Sequence, residues 1–198
     1  MHRPDITQLH IGLLGGGQLG RMLLQAAANF NLNVSVLDPD AQAPCKHLCQ
    51  SFTQGSLTDY DTVYRFGKAC DLITIEIENV NTAALRQLVS EGCKVYPDPE
   101  LIELIQDKGL QKQFYQSHRI PSPDFFIIDR RDQISRFTAY FPFFQKLRKG
   151  GYDGRGVVAL KSPDALDQAF DAPSVLERSV AVSKELSVIV ARNANGDI

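Results

Sequence analysis

Apolar and polar positions alternate in two rhythms over the first hundred residues. Ile11-Gly12-Leu13-Leu14 is a short unbroken apolar run of the kind a buried strand makes. After it, Leu19, Met22, Leu23, Ala26, Ala27 and Phe30 recur at helical spacing, which predicts a helix with one apolar face. Asn33-Val34-Ser35-Val36-Leu37-Asp38 reads as the next strand, stopped by Pro39. Thr58-Asp59 opens a helix that runs through Tyr64 to Ala69. A strand is expected over residues 71–79, a helix from Thr82 to Glu91, and a short strand from Cys93 to Tyr96. Strands separated by helical patterns predict βαβ units and a doubly wound parallel sheet.

Pro97-Asp98-Pro99 is the clearest boundary in the chain and divides it into residues 1–98 and 99–198. Beyond it one long helical pattern covers residues 100–117, and Pro121-Ser122-Pro123 closes it. The rest has α+β character. Phe143 to Arg148 and Val157 to Leu160 read as strands, Asp164 to Phe170 as a short helix, and residues 175–177 and 185–192 as strands. Asn195-Gly196 is a strong hairpin turn signal with two residues after it, so the chain is expected to be an N-terminal fragment cut inside a sheet.

Composition narrows the classes. The 198 residues are 43% hydrophobic and 22% charged, enough for a sizeable core and one or two domains. A net charge of −2 and a pI near 6.1 give no global attraction to nucleic acid or an anionic membrane. No apolar run approaches the ~20 residues of a membrane span, and no signal-peptide core precedes the first strand. Cys45, Cys49, Cys70 and Cys93 lack ligand spacing and read as reduced thiols of a cytoplasmic protein. His2, His10, His47 and His118 are scattered, and no metal ligand is expected within the chain.

Four stretches carry chemistry. Gly150-Gly151-Tyr152-Asp153-Gly154-Arg155-Gly156 packs four glycines between two strands, with Lys146, Arg148 and Lys149 just upstream. Backbone N–H groups and cations in that arrangement suit the covering of a polyphosphate, and an ordinary hairpin tip is the plainer alternative. Gly15-Gly16-Gly17-Gln18-Leu19-Gly20 satisfies G-x-G-x-x-G, and Asp38 follows 18 residues after Gly20, so a nicotinamide-dependent oxidoreductase is open on this pattern. A loop at a helix N-terminus equally accepts phosphate of any origin. Glu76 and Glu78 fall on one face at the carboxyl end of a strand, where parallel sheets bind ligands, or else mark a solvated strand end. Lys108 and Lys112 stand one turn apart on the long helix, where solvated lysines are the usual case.

Together these stretches resemble the ATP-grasp superfamily, and within it the family of 5-(carboxyamino)imidazole ribonucleotide synthetases, the ATPase subunits of phosphoribosylaminoimidazole carboxylase. The match rests on Gly15 to Met22, Thr74 to Val80, Ile105 to Lys108, Gln111-Lys112, Gly150 to Gly156 and Lys184 to Arg192, in order along essentially the whole chain. The resemblance implies a doubly wound pre-ATP-grasp domain followed by the first part of an α+β ATP-grasp domain. It implies ATP-dependent carboxylation of the amine of 5-aminoimidazole ribonucleotide by bicarbonate, through carboxyphosphate, in purine biosynthesis. Lys108 and Lys146 would contact ATP phosphates under a cover formed by Gly150, Gly151, Gly154 and Gly156. Glu177, Arg178, Ser179 and Val180 would meet the adenine, and Glu185 the ribose. Tyr152, Asp153 and Arg155 would face the reacting substrate, with Gln18, Leu19 and Glu76 or Glu78 on the ribonucleotide side. Lysine stands at 108 where the family also uses arginine, which keeps the charge and loses the fork. Mg2+ is implied, with its carboxylates beyond residue 198, so the fragment is expected to be inactive alone and prone to associate through an open sheet edge. A homodimer is expected for the full-length protein. Formate-dependent glycinamide ribonucleotide transformylase, similar in organisation, is the alternative within ATP-grasp enzymes, and its fit to the two glycine runs is poorer.

Overall fold

The computed structural model describes residues 6–151, 154–193 and 195–198. They form two compact units, Met1–Phe114 with Arg148–Gly150, and Tyr115–Leu147 with Gly151–Ile198.

The first unit is a parallel sheet wrapped by helices. Its strands are β1 (His10–Leu14), β2 (Asn33–Asp38), β3 (Ser51–Gln54), β4 (Leu72–Ile75) and β5 (Lys94–Tyr96), in the order β3-β2-β1-β4-β5. The helices are α1 (Gln18–Ala28), α2 (Tyr60–Gly67), α3 (Thr82–Ser90) and α4 (Pro99–Gln106), and α5 (Lys108–Ser117) begins here. One layer of core packs Leu13, Val34, Val36 and Cys45 against Leu24 and Ala27 of α1. The other packs Leu14, Leu37 and Ile73 against Val63, Leu85 and Leu88 of α2 and α3. Strands buried on both faces carry the near-continuous apolar runs that a parallel sheet requires. Asp59 caps α2 through Thr62 N–H, and Asn81 caps α3 through Ala84 N–H. The edge strand β3, too polar to stand out by pattern, is absent from the sequence reading.

Three expected elements differ here. The apolar stripe of α1 does not face the sheet. Gly20, Leu24 and Ala27 are buried, whereas Leu19, Met22, Leu23 and Phe30 are exposed. Close approach decides this, because a Cβ at Gly20 would lie 3.0 Å from Cys45 Sγ and 3.1 Å from Gly15 O. The strand expected over 71–79 stops at Ile75. Its neighbour β1 ends at Leu14, and Glu76 N–H donates the last bond to Leu14 O at 2.8 Å, after which no ladder remains. The helix expected over 100–117 breaks at Asp107, whose backbone is extended (φ −119°, ψ 107°). Its side chain accepts from the N–H groups of Gly109 and Leu110 and so starts a new helix.

The second unit is an antiparallel sheet of β6 (Phe125–Ile128), β7 (Phe143–Leu147), β8 (Val157–Leu160) and β9 (Ser174–Arg178), ordered β6-β9-β7-β8. Ile128, Phe143, Leu160 and Leu176 pack with Ile134 of the 3-10 segment Arg131–Tyr140 and with Ala169, which follows the 3-10 segment Pro163–Gln168. Gln145, on the inner face of β7, is fully buried. Its amide donates to Phe170 O and Ser174 Oγ and accepts from Phe170 N–H, so the burial leaves no unmet polar group. Residues 185–192, expected as a strand, form none. They pair with no neighbour among the described residues, and Leu186, Val188 and Ile189 are each more than four-fifths exposed. A strand requires a ladder, and apolar alternation alone does not supply one. The chain does reverse beyond them, with Asn193 N–H bonded to Asp197 O.

Candidate active site

Each unit presents a glycine loop with charged groups around it. In the first, residues 15–17 link β1 to α1 at the carboxyl end of the sheet. Gly15 adopts φ +98°, open to few residues but glycine. Two carboxylates grip this loop. Asp38 Oδ2 accepts from Gly16 N–H at 2.6 Å, and Oδ1 from Asp40 N–H at 2.7 Å. Glu76 lies on the other side, so close that a Cβ at Gly17 would fall 2.7 Å from its Oε1 and one at Gly15 2.9 Å from its Oε2. Gln18 and Leu19 stand exposed in the first turn of α1, whose N-cap, Gly17, offers no side-chain acceptor. That helix end has positive partial charge to offer an anion.

Glu78 behaves differently from Glu76. It lies beyond β4 in an exposed segment, where its carbonyl accepts from Gln106 Nε2 at 2.7 Å. The same-face relation predicted for the two glutamates required a strand that ends before either. Cys45 sits behind the loop with its thiol directed at Gly17 O. Burial first, then the negative charges of Cys49, Glu76 and Asp38, pushes that thiol up to about 11, which makes it a packing group and a poor nucleophile.

The start of α5 carries Lys108 and Lys112, both half-buried. Asp107 is 4% exposed and holds Arg148 with two bonds, Oδ1 to Nε at 2.8 Å and Oδ2 to Nη2 at 2.7 Å. Lys108 N–H donates to Arg148 O at 2.9 Å. Burial raises the Asp107 pKa, but the guanidinium and the two helix N–H groups outweigh it and hold the carboxyl below its ordinary value. Asp107 does not stand among the site residues expected from sequence, and Arg148, expected as one of the cations beside the glycine loop, is bonded to Asp107 instead. The break in a helical pattern at an aspartate followed by Lys-Gly is the signal that could have found the first.

In the second unit the long glycine loop joins β7 to β8. Leu147 N–H donates to Gly156 O at 2.8 Å and closes its base. Gly150, Gly154 and Gly156 have φ of +74°, +78° and +71°, so the loop holds a backbone that side chains disfavour. Among the described residues, none lies within 4 Å of where a Cβ would stand at Gly150 or Gly154. Arg155 is exposed, and Tyr152 and Asp153 lie outside the described residues. Lys146 and Glu177, on neighbouring antiparallel strands, form an ion pair at 3.1 Å with both side chains largely buried. Arg178 ends β9, Ser179 N–H donates to Pro142 O, and Val180 and Glu185 are exposed. Among the described residues no group of three or more His, Cys, Asp or Glu side chains is arranged to hold a metal ion, and no helix is long and apolar enough to cross a membrane.

Comparison with known proteins agrees with this division. Residues 9–106 match the ribonucleotide synthetase preATP-grasp domain, and residues 113–198 the ATP-grasp domain. Phosphoribosylaminoimidazole carboxylase of Vigna aconitifolia is 37% identical over 98% of this chain and 36% of its own length. The crystal structure of N5-carboxyaminoimidazole ribonucleotide synthetase from Thermotoga maritima is 34% identical, with a TM-score of 0.86 over 96% of this chain and 51% of that one. The Aspergillus clavatus N5-carboxyaminoimidazole synthase, solved with ADP and 5-aminoimidazole ribonucleotide, is 30% identical with a TM-score of 0.76, over 89% of this chain and 48% of its own. The chain thus spans about a third to a half of the relatives it matches. With both domain matches in sequence order and the same fold at this identity, the chain carries a ribonucleotide synthetase preATP-grasp domain followed by ATP-grasp sequence, and is similar throughout to the N5-carboxyaminoimidazole ribonucleotide synthetases.

Proposed function

We propose that the full-length protein carrying this chain is an ATP-dependent carbon–nitrogen ligase that joins bicarbonate to the exocyclic amine of 5-aminoimidazole ribonucleotide in purine biosynthesis. The observation that supports this reading is two differently built glycine loops, one in each matched domain, in a chain similar to a synthase solved with ADP and 5-aminoimidazole ribonucleotide. The first loop, with Gln18, Leu19 and Glu76, takes the ribonucleotide, its anion drawn to the α1 N-terminus and its hydroxyls to the Glu76 carboxylate. Lys108 and Lys146 take ATP phosphates and the residue 150–156 loop covers them. Glu177, Arg178, Ser179 and Val180 meet the adenine, Glu185 the ribose, and Tyr152, Asp153 and Arg155 the reacting substrate.

The reaction proceeds by attack of a bicarbonate oxygen on the γ-phosphorus, which releases ADP and forms carboxyphosphate. The amine then bonds to the carboxyl carbon, inorganic phosphate leaves, and the nitrogen gives up one proton. Phosphoryl transfer relies on positioning and charge neutralisation, which lysines and backbone N–H groups supply. A closed loop also keeps water from a hydrolysable intermediate. Mg2+ belongs to the proposal as the companion of ATP, but the described residues offer it no ligand set, and no step is assigned to it. A cytoplasmic homodimer completes the reading. The oxidoreductase alternative loses its main support, because both oxygens of Asp38 are engaged with the chain's own backbone.

Phosphate release by the full-length protein tests this, with Mg-ATP and bicarbonate, with and without aminoimidazole ribonucleotide. A parallel assay uses formate and glycinamide ribonucleotide. Stimulation confined to the first pair is expected, and stimulation confined to the second would replace the substrate and keep the ATP site.

A further inference from the structure

An ion pair between a buried carboxylate and a partly buried guanidinium joins two segments that each carry candidate ATP contacts. Asp107 immediately precedes Lys108, and Arg148 stands two residues before Gly150. The contact is made twice over, through both guanidinium bonds and through the Lys108 N–H to Arg148 O bond. The guanidinium also lies close against the first turn of α5, where a Cβ at Gly109 would fall 2.7 Å from Arg148 Nε and 3.0 Å from Asp107 Oδ1. Glycine is therefore the residue that leaves room for the pair. Buried ion pairs gain little stability over apolar packing of the same volume, so a pair this constrained calls for a reason beyond stability. What a planar fork on a carboxylate supplies is a fixed distance and a fixed direction.

We propose that the Asp107–Arg148 pair is a positioning device for ATP, which pins the root of the long glycine loop, Arg148–Gly150, to the helix start that presents Lys108. This rests on the assignment of Lys108 and the glycine loop to ATP. Asp107 and Arg148 act through those groups, and neither is assigned a bond to the nucleotide. Because one Oδ1 atom both starts the helix and holds Arg148, any shift of the pair displaces Lys108 and the loop root together.

The test uses the full-length protein and three variants, with ATP and aminoimidazole ribonucleotide affinities measured separately by titration calorimetry. Asp107→Asn keeps an acceptor for the Gly109 N–H and loses the second oxygen and the charge. Arg148→Lys keeps the charge and loses the fork. Gly109→Ala leaves both charges and forces the guanidinium aside. All three are expected to weaken ATP by about tenfold, the scale of one misaligned charged contact, with ribonucleotide affinity unchanged. Gly109→Ala is decisive if the charge variants fail to fold, since it adds a single methyl group. ATP affinity unchanged in folded Gly109→Ala, or both affinities falling together, would overturn the positioning role. Failure of the wild type to bind ATP would overturn this inference along with the functional reading. ATP binding without ribonucleotide-dependent turnover would overturn the functional reading alone.

Discussion

Glu76 shows how much one side chain can be asked to do. Its carboxylate fills the space that Cβ atoms at Gly15 and Gly17 would need, so the glycines and the glutamate specify one another. Glu76→Gln keeps the shape and removes the charge. It is expected to raise the KM for the ribonucleotide about tenfold while leaving that for ATP in place, as loss of one charged hydrogen bond does. Equal changes in both constants would remove Glu76 from the ribonucleotide side. Gly154 poses a simpler question, since it has φ +78°. Gly154→Ala meets no neighbour among the described residues and costs backbone strain, about 1–2 kcal/mol on the ordered loop. The expected result is weaker ATP binding together with a melting temperature lowered by a few degrees. A lower melting temperature with unchanged ATP binding would make the glycine a folding requirement and no more.

At the scale of elements, boundaries are set by neighbours more than by local pattern. Residues 71–79 alternate well, yet β4 ends where β1 ends. Residues 185–192 alternate equally well and form no strand, for want of a partner. Both facts are invisible to periodicity, which reads one segment at a time. The break at Asp107 is a different case, because Asp-Lys-Gly inside a helical run is readable as a cap once its partner Arg148 is known. Among the elements, α2 and α3 are joined through Glu91, which follows α3 and accepts from Gln87, Lys68 and Tyr64. Those bonds, Gln87 first, lower its pKa from 4.5 to about 2. A carboxylate depressed on folding stabilises the protein above its unfolded pKa, and that contribution is lost as pH falls through the folded value. Wild type is therefore expected to exceed Glu91→Gln in stability by a constant margin above pH 4.5, shrinking to nothing near pH 2. Urea unfolding across that range measures it, and a margin independent of pH would show that the charge contributes nothing.

For the whole molecule, the arrangement into a parallel α/β unit and an antiparallel α+β unit follows from patterning along the chain, as do both glycine loops. Arg148–Gly150 belongs to the first unit, in the middle of a stretch that otherwise belongs to the second. No local pattern announces that return, because it depends on an ion pair between residues 41 apart in the chain. Lys146 is expected from its strand face to point at an anion; the structure pairs it with Glu177, a contact that depends on the β7–β9 register, which sequence alone leaves open. Lys146→Met is expected to weaken ATP at least about tenfold by removing a charge-assisted contact, with the ribonucleotide unaffected. A calorimetric ATP affinity equal to wild type would assign Lys146 to holding β9 instead.

The proposed chemistry is tested most directly by following oxygen from bicarbonate. The full-length protein is supplied with ATP, aminoimidazole ribonucleotide and bicarbonate labelled with oxygen-18, and the released phosphate is analysed by mass. Attack of bicarbonate on the γ-phosphorus carries one labelled oxygen into each phosphate, and that is the result expected. Phosphate released without label, at a rate that still depends on the ribonucleotide, would show that water or the ribonucleotide attacks instead and would contradict the carboxyphosphate route.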